Sequence, residues 1–146
     1  NPIIMFAKRL VLLFFIATAL AACDKESNSN CPDKLCTAEF AAVTIKFVDK
    51  DGEGVWVKNY SAVNQRTKDT INYPPAAHLL LDTGAYIVAS DNNTKTLSEA
   101  GDDIKISGTD SVSNITLTAI VKVSGGECAC HITKVAGPSE IKFIDR

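Results

Sequence analysis

Between Ile115 and Val123 the chain alternates. Ile115, Leu117, Ala119, Val121 and Val123 fall on one face, Thr116, Thr118 and Lys122 on the other, and only Ile120 breaks the pattern. A period of two is the mark of a pleated strand with one buried side. Val43, Ile45 and Phe47 alternate with Thr44 and Lys46 in the same way, and Tyr86 and Val88 belong to another β-rich run ahead of Ser90-Asp91-Asn92-Asn93. Turn-forming residues punctuate these runs at Asp51-Gly52, Thr67-Lys68-Asp69, Asp82-Thr83-Gly84, Gly108, Gly125-Gly126 and Gly137-Pro138. No stretch keeps a 3.6-residue apolar stripe, and Leu97 to Ala100 has room for a single helical turn. The spacing predicts an all-β protein, a single antiparallel β-sandwich of about seven or eight short strands over residues 39–146.

The N-terminal segment follows different rules. Lys8-Arg9 is followed by an apolar core from Leu10 to about Ala19 and then by small residues, the three-part order of an export signal. The run is too short for a membrane span, which needs roughly 18 or more apolar residues. Met5, the sole methionine, sits just before the basic pair and is expected to be the true start, with Asn1 to Ile4 upstream of it. Leu20-Ala21-Ala22-Cys23 resembles the lipobox of bacterial lipoproteins. The resemblance implies that a diacylglyceryl group joins the Cys23 thiol and that residues 1–22 are cut away, leaving a lipid-anchored protein of the cell envelope. No other cofactor is implied. Two acyl chains suffice for stable anchoring, at about 0.8 kcal/mol per buried methylene. Residues 23–38, polar and without apolar periodicity up to Cys36, read as a tether. Asp24 resembles the inner-membrane retention signal of some enteric bacteria, whereas other groups use acidic residues near this cysteine for surface export. The outer membrane is the expected address, with the face left open.

Loss of the signal would remove two of the 15 basic residues and none of the 17 acidic ones, taking the net charge from −2 to −4. A mildly acidic chain without a basic stripe makes nucleic acid a poor partner.

With Cys23 assigned to lipid, four of the five cysteines remain: Cys31, Cys36, Cys128 and Cys130. An even number in an exported chain predicts two disulfides. On an extended strand, Cys128 and Cys130 would point to one face, too far apart to bond each other. Two bridges from the Cys31/Cys36 segment to Cys128/Cys130 are therefore expected, in either pairing. The competing reading is zinc, held by these thiolates with or without His131. The spacings of four and one intervening residues suit it poorly. The same spacing excludes a c-type haem attachment and a thioredoxin-like pair.

Asp49-Lys50-Asp51-Gly52-Glu53-Gly54 starts like a calcium loop, with Asp49, Asp51 and Glu53 as ligands. An EF-hand needs a glutamate at the twelfth position, where Tyr60 stands, so a hairpin turn is the simpler reading. Glu99, Asp102 and Asp103 read as a solvated loop, and His78, beside Leu79-Leu80-Leu81, as a strand-end residue. Trp56 and Tyr60 share a face of the strand beginning near Val55, with Lys58 between them. They either pack in the core or, facing outward, offer a platform for sugar rings or a protein partner.

Val43 to Phe47, Val48 to Val55 and Asp82-Thr83-Gly84-Ala85-Tyr86-Ile87-Val88 resemble the opening strand, first turn and Gly-x-Tyr strand of prealbumin-like or carboxypeptidase-regulatory-like domains. An immunoglobulin-like sandwich fits the same spacing, and neither family implies a catalytic residue. No nucleophile elbow, zinc-protease motif or phosphate loop is present. The expected function is a non-catalytic, lipid-tethered binding or assembly module for a glycan or an envelope protein. The alternative is a small accessory enzyme or a zinc- or calcium-binding envelope protein.

Overall fold

The structure, a computed structural model, describes residues 31, 33–79 and 81–144. Cys23, the signal segment and the first part of the tether lie outside them. Among the described residues no helix is long and apolar enough to cross a membrane.

Among the described residues seven strands build two sheets: β1 (Ala42–Val48), β2 (Val57–Asn64), β3 (Ala85–Ser90), β4 (Asp102–Asp110), β5 (Thr116–Ser124), β6 (Thr133–Ala136) and β7 (Glu140–Lys142). One sheet has the order β3-β1-β7 and the other β2-β4-β5-β6. Every pairing is antiparallel except β1 with β7, which run parallel. The crossing from β6 at Gly137-Pro138 delivers β7 to the opposite sheet in the direction of β1. The protein is therefore an all-β sandwich of two antiparallel-rich sheets.

The period-two residues fill the space between the sheets. Ile45, Phe47 and Val88 meet Ala62, Ile104, Ile106, Val121 and Val123, all essentially inaccessible to water. Ile120, the residue out of pattern in β5, points outward and is exposed. At the centre, Phe47 stacks on Phe143 at 6.0 Å between ring centroids and meets Tyr86 edge-on at 5.6 Å.

Gly108 is not a turn but lies inside β4. A Cβ there would stand 2.7 Å from both the Phe47 ring and a Val57 methyl, so the strand carries glycine to admit the largest core side chain. The actual β4–β5 turn covers 111–114, where the Asp110 carboxylate accepts from the Ser113 N–H and hydroxyl and Asn114 takes a left-handed φ of 58°. Leu97 to Ala100 forms a bend and turn rather than a helical one. The short helix α1 is at Pro75–Leu79 instead, and a 3₁₀ turn, Asp91–Asn93, is capped by Ser90.

Asp102, grouped from sequence with solvated acids, is 3% exposed. Its carboxylate accepts from Arg66 Nε and Nη2 at 2.7 and 2.8 Å, from Asn64 Nδ2 at 2.7 Å and from the Ser98 hydroxyl at 2.7 Å. The site ties the end of β2, the turn after it and the start of β4 together. The Arg66 guanidinium, aided by Ser98 and Asn64, outweighs the cost of burial and holds the carboxyl well below the usual carboxylate range.

Candidate functional site

β2 and β3 are edge strands of different sheets, and aromatic side chains join them across one open side of the sandwich. A bulge in β2 makes this possible. The register with β4 shifts between Lys58 and Ser61, and Asn59 sits at a left-handed φ of 55°. Trp56 and Tyr60 are therefore not related by the plain alternation expected of them, yet both turn toward β3. Tyr60 stacks on Tyr86 at 4.5 Å, and Trp56 meets Tyr86 edge-on at 5.9 Å. The hydroxyls stitch the edges together: Tyr60 donates to the Ile87 carbonyl, while Tyr86 accepts from the Val57 N–H and donates to the Val57 carbonyl.

The chain after β2 folds back along it, with the Ile71 N–H donating to the Ala62 carbonyl. It then supplies Tyr73, whose hydroxyl donates to Asn93 Oδ1 and bonds Ser90 Oγ, and α1, which carries His78. His78 is thus a buried helical residue rather than a strand-end one. Its ring lies 5.4 Å from Tyr60 and 5.0 Å from Tyr86, and its Nδ1 accepts from the Ile87 N–H at 3.3 Å.

These residues enclose a cavity of about 490 Å³ lined by Trp56, Val57, Asn59, Tyr60, Ser61, Ile71, Asn72, Tyr73, Pro75, His78 and Tyr86. Its size is in the range of small-ligand sites, roughly 300–1,000 Å³. The chain's single tryptophan, all three of its tyrosines and one of its two histidines are among these residues. Trp56 is 39% exposed at the mouth, so it is neither a core residue nor an isolated surface ring.

The electrostatics are uniform: no described lining residue is an acid, a lysine or an arginine. Burial pushes up the Tyr60 hydroxyl, with the neighbouring Tyr73 and Tyr86 adding to it, and pushes up Tyr73 and Tyr86 too, so all three stay neutral phenols. Burial also holds His78 below the ordinary histidine range. Neutral His78, with Nδ1 accepting, carries its proton on Nε2. That nitrogen has no hydrogen-bond partner among the described residues, and no buried side-chain polar atom among them lacks one, so Nε2 is accessible rather than sealed in the core. The Asn59 and Asn72 side-chain amides and the Trp56 indole N–H are likewise unbonded among the described residues. The seat is apolar and aromatic, with a few unengaged neutral polar groups.

The other residues singled out from sequence do not join it. Cys31 bonds Cys128 and Cys36 bonds Cys130, each with Cα atoms 5.3 Å apart. Cys128 to His131 form a loop after Gly125-Gly126 rather than the extended strand expected there. The four sulfurs are taken by disulfides and are not a thiolate set. His131 is held by Asp91, Nδ1 to Oδ2 at 2.7 Å, and by the Thr37 hydroxyl, Nε2 to Oγ1 at 2.9 Å. The order carboxylate, imidazole, hydroxyl is that of nucleophilic triads. Here, though, Thr37 is exposed on the disulfide-stapled segment, and neither the aromatic cavity nor a smaller one between Ser113 and Ile144 touches it. Asp91 also accepts from the Ala41 and Ile132 N–H groups, so the array pins the segment before β1 to the loop before β6.

Asp49 builds a turn: its Oδ1 accepts from the Asp51 and Glu53 N–H groups, and Gly52 takes a φ of 87°. Among the described residues no group of three or more His, Cys, Asp or Glu side chains is placed to hold a metal ion. Asp49, Asp51 and Glu53 are not gathered into a ligand set.

Tyr73, Asn59, Asn72 and the role of His78 were not apparent from periodicity. The available signal was compositional, since the tryptophan and all the tyrosines lie between residues 56 and 86. Comparison with protein-family models, curated proteins and solved structures finds no match for this chain.

Proposed function

We propose that this protein is a lipid-anchored, non-catalytic binding module of the bacterial cell envelope, and that the aromatic cavity between β2 and β3 is its ligand seat. The observation that carries the reading is the convergence of the only tryptophan, every tyrosine and His78 on one cavity. Large rigid rings presented at a concave site supply contact area at low entropic cost. The described lining offers no carboxylate, amine or thiol, its one imidazole has Nδ1 taken by the Ile87 N–H and its Ser61 hydroxyl is bonded to Ser107, which is why the seat reads as binding rather than reaction. The anchor rests on the basic, apolar and small-residue order ending at Cys23.

Two experiments test the two halves. In bacteria fed a fatty-acid analogue, the full chain is expected to take up label and Cys23→Ser to take up none; equal labelling of both would contradict the anchor. For the seat, the emission of Trp56, the only tryptophan, is expected to shift as detergent-solubilised protein is titrated with neutral oligosaccharides and a proline-rich peptide. Calorimetry should show Trp56→Ala binding the active probe at least tenfold more weakly, the behaviour of a central aromatic contact. An unchanged affinity in that variant would move the site elsewhere.

A further inference from the structure

We infer that the ligand of this cavity is an uncharged saccharide, held by one sugar face on the aromatic rings and by its hydroxyls on Asn59, Asn72 and His78. The inference rests on the binding-seat reading and narrows it to one chemical class.

Charge comes first. With no described lining residue ionised, the cavity has nothing to neutralise a carboxylate, sulfate or phosphate, and transferring such an anion into an aromatic seat without a partner is strongly unfavourable. Anionic glycans, nucleotides and acidic peptide side chains are disfavoured on that ground alone.

The free polar groups then separate a sugar from a proline-rich peptide. A polyproline segment presents carbonyl acceptors to a groove and is met by donors, commonly indole and phenol groups. Here all three phenol hydroxyls are spent on internal bonds: Tyr60 on the Ile87 carbonyl, Tyr86 on Val57 and Tyr73 on Asn93 and Ser90. What remains unengaged is one indole N–H, that of Trp56, and two amide side chains, each carrying both donors and an acceptor. A group that both donates and accepts is matched by a hydroxyl, which does the same. The His78 Nε2–H adds one fixed donor on a lining residue, its direction set by the Ile87 N–H on the other ring nitrogen. A C–H face against Trp56 together with several hydroxyls against amides describes a pyranose.

The test uses the full chain in detergent and three sets of probes: neutral oligosaccharides of glucose, mannose, galactose and N-acetylglucosamine; a proline-rich decapeptide; and a sulfated oligosaccharide. At least one neutral oligosaccharide is expected to shift Trp56 emission with a dissociation constant between micromolar and millimolar. By calorimetry, Asn72→Ala should weaken it about fivefold or more and Trp56→Ala at least tenfold. Asn72 is exposed and unbonded, so its variant keeps the fold. Binding of the peptide alone, lost in Trp56→Ala, would leave the seat in place and overturn the saccharide. Preference for the sulfated probe, or no response to any neutral sugar, would overturn it as well. Full affinity for a neutral sugar in Trp56→Ala would overturn both the saccharide contact and the seat.

Discussion

Removing both disulfides is expected to cost the domain about 7 kcal/mol, whereas removing either one alone should cost only about 2 to 3 kcal/mol. The inequality follows from how the two rings overlap. Cys31–Cys128 and Cys36–Cys130 each span most of the domain, with sequence separations of 97 and 94. Whichever bridge forms first closes a loop of that length and stabilises by roughly 4 to 5 kcal/mol in the chain-entropy model. The second then closes a ring of only about seven residues, since Cys31 and Cys36, like Cys128 and Cys130, are already held close together. Its share is about 2.5 kcal/mol. Domains of this size have about 5 to 15 kcal/mol in all, so the doubly reduced protein should be near its unfolding threshold. Denaturant melts of the wild type, of Cys36→Ser/Cys130→Ser and of the four-serine variant give the comparison. A pair variant as unstable as the four-serine one would contradict this account of overlapping rings.

Asp102→Ala is expected to destabilise by about 3 kcal/mol, and Arg66→Ala by much less. The two sides of this ion pair differ in burial: the Asp102 side chain is 2% exposed and that of Arg66 is 52% exposed. When the carboxylate is lost, the guanidinium regains water, but the buried Asn64 amide loses its acceptor and keeps no route to solvent. When the guanidinium is lost, Asn64 and Ser98 still satisfy the carboxylate. The pH dependence has a definite sign. The carboxyl is held below its unfolded value, so its contribution is fully present above about pH 4 and is lost as the pH falls below that. Asp102→Asn should therefore show a shallower loss of stability between about pH 4 and pH 2 than the wild type. Parallel curves for the two proteins would count against the proposed linkage.

What could be read in advance, and what could not, divides along the range of the interactions. β1, β3 and β5 were legible because alternation is a local property, and Val43, Ile45, Phe47, Val121 and Val123 are buried as their period requires. Gly108 was misread because its reason is tertiary, the ring of Phe47 from the other sheet. Asp102 was misread in the same way, because three residues between 64 and 98 converge on it. The cysteine pairing was open because either connectivity suits two closely spaced pairs. The cavity was half legible: Trp56 and Tyr60 stood out as aromatics near one another. However, the face they share depends on a bulge at Asn59, and their partners Tyr73, His78 and Tyr86 arrive only when the edges of two sheets meet. No local pattern encodes that meeting.

The most direct test of the account is residue-resolved chemical-shift mapping of the isotope-labelled protein as the tightest-binding neutral oligosaccharide is added. The account predicts that the Trp56 indole N–H and the Asn59 and Asn72 side-chain amides move first and furthest, with backbone signals along 56–61 and 71–78 following. Unchanged signals at these groups, with shifts confined to the Asp49 turn or to the β6 edge, would contradict it.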